Sequence, residues 1–272
     1  MSRTIFIGDV HGCLKELQEL ICKIHLHQND HLVFVGDLIH KGPDSTGVLE
    51  YVLNLTKTYK VDIICGNHEE KHLRWLKTEA SCLKTNTKNT MLHVEEYPSV
   101  NVSSEVKELL ENTYIAKKYN NTVAVHAGIP SNLLELKCIT HAEWSATSGK
   151  QKRALAQVMR VRFLAGPNRT STNSKGKTKK VQMGKMIALG QEKPEDNYWA
   201  NVYDGRFGTV VFGHNPFMEN KPRIFPYAFG VDLGCVHGGY LCALIKKNKT
   251  TTHVVVKAKQ TYQKSPSWIY KN

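Results

Sequence analysis

Thr4-Ile5-Phe6-Ile7-Gly8-Asp9-Val10-His11-Gly12, Leu32-Val33-Phe34-Val35-Gly36-Asp37 and Val61-Asp62-Ile63-Ile64-Cys65-Gly66-Asn67-His68 are built alike. Each is a short, mainly apolar run rich in β-branched residues, closed by glycine and then by a carboxylate, an amide or an imidazole. Runs of this length bounded by glycine read as buried strands. Between the first two, Leu14, Leu17, Leu20, Ile21 and Ile24 fall at helical spacing, and Val48, Leu49, Val52 and Leu53 do the same between the second and third. Strand, helix, strand, helix, strand predicts an α/β fold with a parallel sheet under covering helices.

Outward from this core the pattern loosens. Helical stretches are expected around His72–Leu76 and Glu105–Asn112, with a polar run between them, so residues of about 78–118 read as a less regular helical insertion. Thr122–Val125 returns to strand, residues 150–163 form a basic helix or an approach to a strand, and a Ser-, Gly- and Lys-rich basic loop occupies about 166–182. Thr209–Phe212, Ala228–Asp232, Tyr240–Ile245 and Thr252–Val256 are further strands. Two packed sheets flanked by helices would bury all of these runs, and the 272 residues are read as one domain spanning 1–272.

Composition excludes several classes. With 41% hydrophobic and 22% charged residues the chain is neither disordered nor collagenous. No apolar run approaches the length of a membrane span, and Gly8-Asp9 comes too early for a signal peptide, so a cytoplasmic protein is expected, with the nucleus as an alternative. Seven scattered cysteines without a C-x-x-C pair argue for reduced thiols. The 37 basic and 24 acidic residues are unevenly placed. Residues 144–191 hold eleven Lys/Arg and no acid, and residues 233–272 hold seven Lys and no acid. These two segments carry the whole positive excess and would attract a polyanion.

The strand ends carry the chemistry. Asp9 and His11, Asp37, and Asn67 follow the first three strands; His126-Ala127-Gly128 and Gly213-His214 follow two later ones. Ligands of α/β proteins gather at the carboxyl ends of strands, so these places converge. Two Asp, one Asn and three His suit Mn, Fe, Zn or Mg better than thiophilic metals. Six donors are too many for one catalytic ion with an open position, but a bridging carboxylate lets them serve two.

In order and spacing, Gly8-Asp9-Val10-His11-Gly12, Gly36-Asp37 with Gly42, Gly66-Asn67-His68-Glu69, His126-Ala127-Gly128 and Gly213-His214 resemble the signature blocks of the calcineurin-like metallophosphoesterases of the phosphoprotein phosphatase superfamily. Gly36-Asp37-Leu38-Ile39-His40-Lys41-Gly42-Pro43, Met159-Arg160-Val161-Arg162-Phe163, Tyr203-Asp204-Gly205-Arg206 and Asp232-Leu233-Gly234-Cys235-Val236-His237 resemble the ApaH-like branch, relatives of symmetrical diadenosine tetraphosphate hydrolases. The resemblance implies a sandwich of two mixed β-sheets flanked by α-helices. It also implies two divalent ions, manganese first, with iron, zinc, cobalt or magnesium as alternatives. Asp9, His11 and Asp37 would hold one ion, and Asp37, Asn67, His126 and His214 the other. His68 would be the general acid, and an activated water would attack phosphorus without a covalent phosphoenzyme.

The chain departs from the protein phosphatases where it has His40-Lys41 in place of Asp-Arg, so that Lys41 offers a point charge instead of a planar fork and His68 lacks its usual carboxylate partner. Arg160 and Arg162, two apart, would face one side of a strand and are candidates for gripping a phosphate, together with Lys41. Asp232 is expected to orient a ligand histidine, and Cys65 and Cys235 to be buried and inert. The leading expectation is a phosphohydrolase of polyphosphate anhydrides: a dinucleoside polyphosphate, an mRNA cap or inorganic polyphosphate. A serine/threonine protein phosphatase is the alternative, and a catalytically dead binding module a third reading that the intact donor set disfavours.

Overall fold

The computed structural model describes residues 2–85, 100, 102–172 and 176–265. In chain order its elements are β1 (Thr4–Ile7), α1 (Leu14–Ile24), β2 (His31–Phe34), α2 (Ser45–Thr56), β3 (Lys60–Ile63), α3 (Asn67–Thr85), α4 (Ser104–Glu111), β4 (Ala116–Tyr119), β5 (Thr122–Val125), α5 (His141–Ala146) and α6 (Gly149–Val158). There follow β6 (Phe163–Leu164), β7 (Thr170–Thr172), β8 (Thr178–Lys180), β9 (Met186–Ile187), β10 (Asn197–Tyr198), α7 (Trp199–Val202), β11 (Thr209–Phe212), β12 (Arg223–Phe225), β13 (Ala228–Gly230), β14 (Tyr240–Lys247) and β15 (Thr250–Lys257).

Two mixed five-stranded sheets dominate, in the orders β15-β14-β1-β2-β3 and β12-β13-β11-β5-β4. The predicted βαβαβ start is present: β1, β2 and β3 run parallel, with Ile5 opposite Leu32 and Leu32 opposite Val61. The second sheet has its own parallel centre, β5-β11-β13. Alternation along the strands divides the core. Phe6, Val33 and Val35 join Val123, Val125, Val210 and Phe212 in the cluster between the sheets. Ile5, Ile7, Leu32 and Phe34 face the other way, onto Leu17 and Leu20 of α1 and Val48, Leu49 and Val52 of α2. Burial on both faces is why these strands are nearly continuous apolar runs.

Several sequence boundaries move. α3 begins at Asn67 and runs to Thr85, well past the expected His72–Leu76. The stretch read as an insertion, 78–118, contains the end of α3, all of α4 and most of β4; residues 86–99 and 101 lie outside the described residues. β4 is an edge strand of the second sheet and was hidden because Ala116-Lys117-Lys118-Tyr119 is half polar, as edge strands often are. The basic loop holds the exposed hairpin β7–β8, with Lys175 outside the described residues. Its Arg169 is buried in an ion pair with Asp196, 2.7 Å away. No described helix is long and apolar enough to cross a membrane.

Asp62 ties the two sheets at their edges. On β3 of the first sheet, it is 2.7 Å from His31 Nε2 and accepts from Lys117 Nζ at 2.8 Å and Tyr119 Oη at 2.9 Å, both on β4 of the second. Burial alone would raise its pKa, but the bonds from His31, Lys117 and Tyr119 outweigh it and hold the carboxyl at about 2. A folded-state value below the unfolded one stabilises the fold above about pH 4, and that contribution is lost as pH falls towards 2. Asp62→Asn is therefore expected to cost on the order of 2 kcal/mol at pH 7, with the gap to the parent closing below pH 4 in urea titrations. A gap that is constant down to pH 2 would contradict this.

Candidate metal centre

β1, β2, β3, β5 and β11 end at one rim of the sandwich, and each delivers its side chain through a tight turn. Gly36, at φ 101°, lies where a Cβ would sit 2.7 Å from His126 Nδ1, so only glycine lets Asp37 and His126 approach. A Cβ at Gly213 would likewise overlap an Asp9 carboxylate oxygen. His11, Asp37, His40, Lys41 and His214 all have left-handed backbone, with φ between 46° and 70°. Such a conformation costs about 1 kcal/mol or more per residue, and clusters of it mark sites where side-chain placement outweighs local comfort.

Two groups of donor atoms meet, each within 4.8 Å: His11, Asp37 and His68, and Asp37, His126 and His214. Asp37 belongs to both. Its Oδ1 lies 3.4 Å from His126 Nε2 and its Oδ2 lies 3.6 Å from His11 Nε2. Backbone carbonyls orient two of the rings: His126 Nδ1 is 2.9 Å from Val35 O, and His11 Nδ1 is 3.1 Å from Ile39 O. With those protons donated outward, both Nε2 lone pairs face inward. His126 Nε2 then meets Asn67 Oδ1 at 3.2 Å and His214 Nδ1 at 3.1 Å, so lone pairs of several atoms converge on a small volume. His214 Nε2 is buried with no hydrogen-bond partner. Lys41 Nζ, 2.9 Å from His11 Nε2, already places a cation on one of these lone pairs. This donor set fits divalent cations.

The electrostatics agree. Burial, then Asp232 and Asp37, push the Asp9 carboxyl well above its ordinary range, and burial lifts Asp232 to about 6. Burial and then Lys41 lower His11 to about 3. Crowded carboxylates and neutral imidazoles sealed from water are relieved by positive charge.

Not every expected residue falls where the sequence placed it. Asp9 is in neither donor group; both its oxygens accept from the His214 backbone N–H, at 3.1 and 3.0 Å. Asp232 lines the cavity but accepts from Gly234 N–H at 2.9 Å, and main-chain carbonyls orient His11 and His126 in its stead. Arg160 and Arg162 part company, because α6 runs to Val158 and a turn follows where a strand was expected. Arg162 lines the metal pocket and donates to Asn215 Oδ1 at 2.7 Å, whereas Arg160 points to a neighbouring groove and binds Glu70 at 2.6 Å. Cys65 and Cys235 are buried. Burial raises the Cys65 thiol, and the bond to Cys13 together with burial raises Cys235, which disfavours the thiolate at both.

His68 is held by other histidines. Its Nδ1 is 3.0 Å from His40 Nδ1, and His40 Nε2 is 3.4 Å from Nδ1 of the buried His72. Its Nε2 is 4.0 Å from Asp37 Oδ2. The sequence also concealed Glu69. Fully buried in the first turn of α3, it accepts from Asp37 N at 2.8 Å, Leu38 N at 2.8 Å and Gly66 N at 2.9 Å, clamping two site loops together.

Residues 2–216 match the family described as calcineurin-like phosphoesterase. The chain belongs to the calcineurin-like phosphoesterases. It is thus a metallophosphoesterase, and that fold implies a binuclear divalent-metal centre, for which the two groups sharing Asp37 are the donor sets present. It is 31% identical over 254 residues to the asymmetrical bis(5'-nucleosyl)-tetraphosphatase PrpE of Oceanobacillus iheyensis, covering 87% of this chain and 86% of that one. It is 29% identical over 269 residues to a symmetrical bis(5'-nucleosyl)-tetraphosphatase of Coxiella burnetii, covering 90% and 89%. In fold it resembles a crystal structure provisionally assigned as a diadenosine tetraphosphatase, with TM-score 0.60, 24% identity and 93% of each chain covered.

Removing the shared charge should be felt on both sides of the centre. Asp37→Asn is expected to lose bound metal, measured by elemental analysis after gel filtration, while Glu69→Gln keeps the donors but weakens metal affinity ~10- to 100-fold by loosening their loops. Parent-like metal content and affinity in both variants would contradict the assignment.

Proposed function

We propose that the protein, folded as one domain, hydrolyses a phosphoanhydride bond of a dinucleoside polyphosphate, with manganese as its two ions. The observation that carries this reading is the pair of donor groups joined at Asp37, in a chain whose tetraphosphatase relatives match about nine-tenths of its length. Asp9, which lies outside both donor groups, would join His11 and Asp37 on one ion, and Asp37, Asn67, His126 and His214 would hold the other; His68, although it falls in the group of His11 and Asp37, is kept off the metal as the acid. Oxygen and imidazole donors without thiolate support manganese, with iron, zinc, cobalt or magnesium able to serve. Once bound, two such ions would lower the pKa of the attacking water, letting it give a proton to solvent, and would neutralise charge on the phosphate oxygens. Lys41 and Arg162, both lining the pocket, hold the phosphate under attack. The water oxygen bonds to phosphorus, the bond to the leaving phosphate oxygen breaks, and His68 Nε2–H supplies that oxygen's proton.

The His40 substitution favours an anhydride over a phosphoserine. A carboxylate partner would stabilise an imidazolium at His68. His40 instead offers a neutral ring, its Nδ1 3.0 Å from His68 Nδ1; with the shared proton on His40, the His68 proton sits on Nε2. Such a donor suits a phosphate leaving group, a far weaker base than a serine alkoxide. Lys41 lacks the planar fork of arginine as well. An mRNA cap and inorganic polyphosphate present the same bond and remain in the substrate class. The seven unpaired cysteines support a reducing compartment, the cytoplasm.

The test is a panel of diadenosine tetraphosphate, a capped oligonucleotide, polyphosphate and a phosphoserine peptide, given to the manganese-loaded protein with products resolved. Diadenosine tetraphosphate should be cleaved with kcat/KM at least ~100-fold above the phosphopeptide, and His68→Asn should lower kcat by ~100-fold or more with KM little changed. His40→Asp should narrow the gap by improving phosphopeptide turnover. Cleavage of the phosphopeptide alone would overturn the reading.

A further inference from the structure

Beside the metal pocket lies a second concavity of about 600 Å³ that the reaction at Asp37 does not use. One wall is α3, which presents Lys71, Arg74 and Lys77 at helical spacing; the other is α6 and the turn after it, with Lys152, Arg153 and Arg160. Six cations therefore face one space. The acid among them is Glu70, which is already shared between Arg160 at 2.6 Å and Arg74 at 3.8 Å. Lys71, Lys77, Lys152 and Arg153 have no ion-pair partner among the described residues. Facing cationic helices repel each other, and an anion between them turns that repulsion into attraction.

The walls are shaped as well as charged. His141 lines the groove, is 3% exposed, and leaves its buried Nδ1 without a hydrogen-bond partner. Burial and then Lys77 hold its pKa at about 4, so the ring is neutral and adds a polar group without charge to the wall. Trp144 fixes Lys152: its Nε1 donates to the Lys152 carbonyl at 3.1 Å, and the Lys152 ammonium lies 5.2 Å from the ring centroid while donating to Ser145 O at 2.6 Å. The indole is only 6% exposed and so gives a nucleobase no face to stack on, which argues against a single-stranded nucleic acid and for the phosphates themselves.

The two sites adjoin. Lys71 stands one turn, ~5 Å along the axis of α3, beyond Asn67 and His68 of the metal pocket. On the opposite wall Arg160 is two residues from Arg162, which lines that pocket. We propose that this groove is a second phosphate-binding site, which holds the phosphates of an oligophosphate chain beyond the bond being cleaved. In naming an oligophosphate the inference rests on the anhydride reading above. It assigns a use to three of the eleven cations of residues 144–191, while the described lysines of the β7–β8 hairpin do not line the groove.

The test is binding, so that it stands apart from turnover. Lys77 and Arg153 are exposed, and their joint reversal, Lys77→Glu with Arg153→Glu, leaves the core and the metal pocket intact. Methylene-bridged tripolyphosphate, which water cannot cleave, is titrated calorimetrically into the metal-loaded full chain at low salt. The reversal should weaken it ~10-fold or more, leave orthophosphate unchanged, and leave the thermal midpoint within a degree or two. His141→Ala should weaken the same probe several-fold. With diadenosine tetraphosphate as substrate, KM should rise in parallel while kcat holds, and p-nitrophenyl phosphate kinetics should not move. Unchanged tripolyphosphate affinity in both variants would overturn the groove even if the anhydride is hydrolysed, whereas weakened affinity in a protein that cleaves no anhydride would sustain the groove and overturn the substrate reading.

Discussion

Asp37 is a buried carboxylate with an imidazole at each oxygen, 3.4 Å from His126 and 3.6 Å from His11, held in a backbone conformation that ordinary residues avoid. Burial disfavours its charge, yet its interactions with His126, and then with His68, hold its pKa well below the usual carboxylate range. The inward-facing lone pairs of His11 and His126 make this arrangement self-repelling unless positive charge lies on both sides of the carboxylate. The remaining features of the rim follow from keeping that one group in place.

The means are distributed over the fold. Glycines admit neighbouring strands to van der Waals distance, Glu69 binds the Asp37 and Gly66 turns with three hydrogen bonds, and Asp9 does the same for His214. Behind them, two sheets share an apolar cluster between Phe6 and Phe212, and Asp62 joins their edges. A rigid scaffold of this kind lets strained turns persist, since the strain is offset by packing elsewhere.

What could be read in the sequence was local in character. A strand, a glycine and a metal-competent side chain occupy six or seven consecutive residues, and repetition of that unit pointed to the parallel core and to His11, Asp37, His126 and His214, whereas Asp9, read as a ligand, lies outside both donor groups and His68, read as the acid, lies within one. Features that depend on distant partners were not legible. Glu69 in a first helical turn looks like ordinary helix-start charge until Asp37 and Leu38 are seen to donate to it. β4 reads as polar because Lys117 reaches across to Asp62. Arg160 and Arg162 were expected on one face because the end of α6 carries no glycine or proline to announce it, and the turn sends them to different cavities. His40 was visible as a departure, but its ring partners, His68 and His72, required the fold.

Fold kinship alone does not choose a substrate; the charge distribution around the centre does that. A neutral imidazole partner for His68, a lysine where a planar fork would otherwise sit, and a cationic flank all suit a long, strongly anionic chain with a good leaving group. All of this presupposes two cations that share Asp37. Crystals grown with manganese and measured at a wavelength where it scatters anomalously test that most directly. Two anomalous peaks about 3.5–4 Å apart, with the Asp37 carboxylate between them, are expected. A single peak, or peaks away from residue 37, would contradict it.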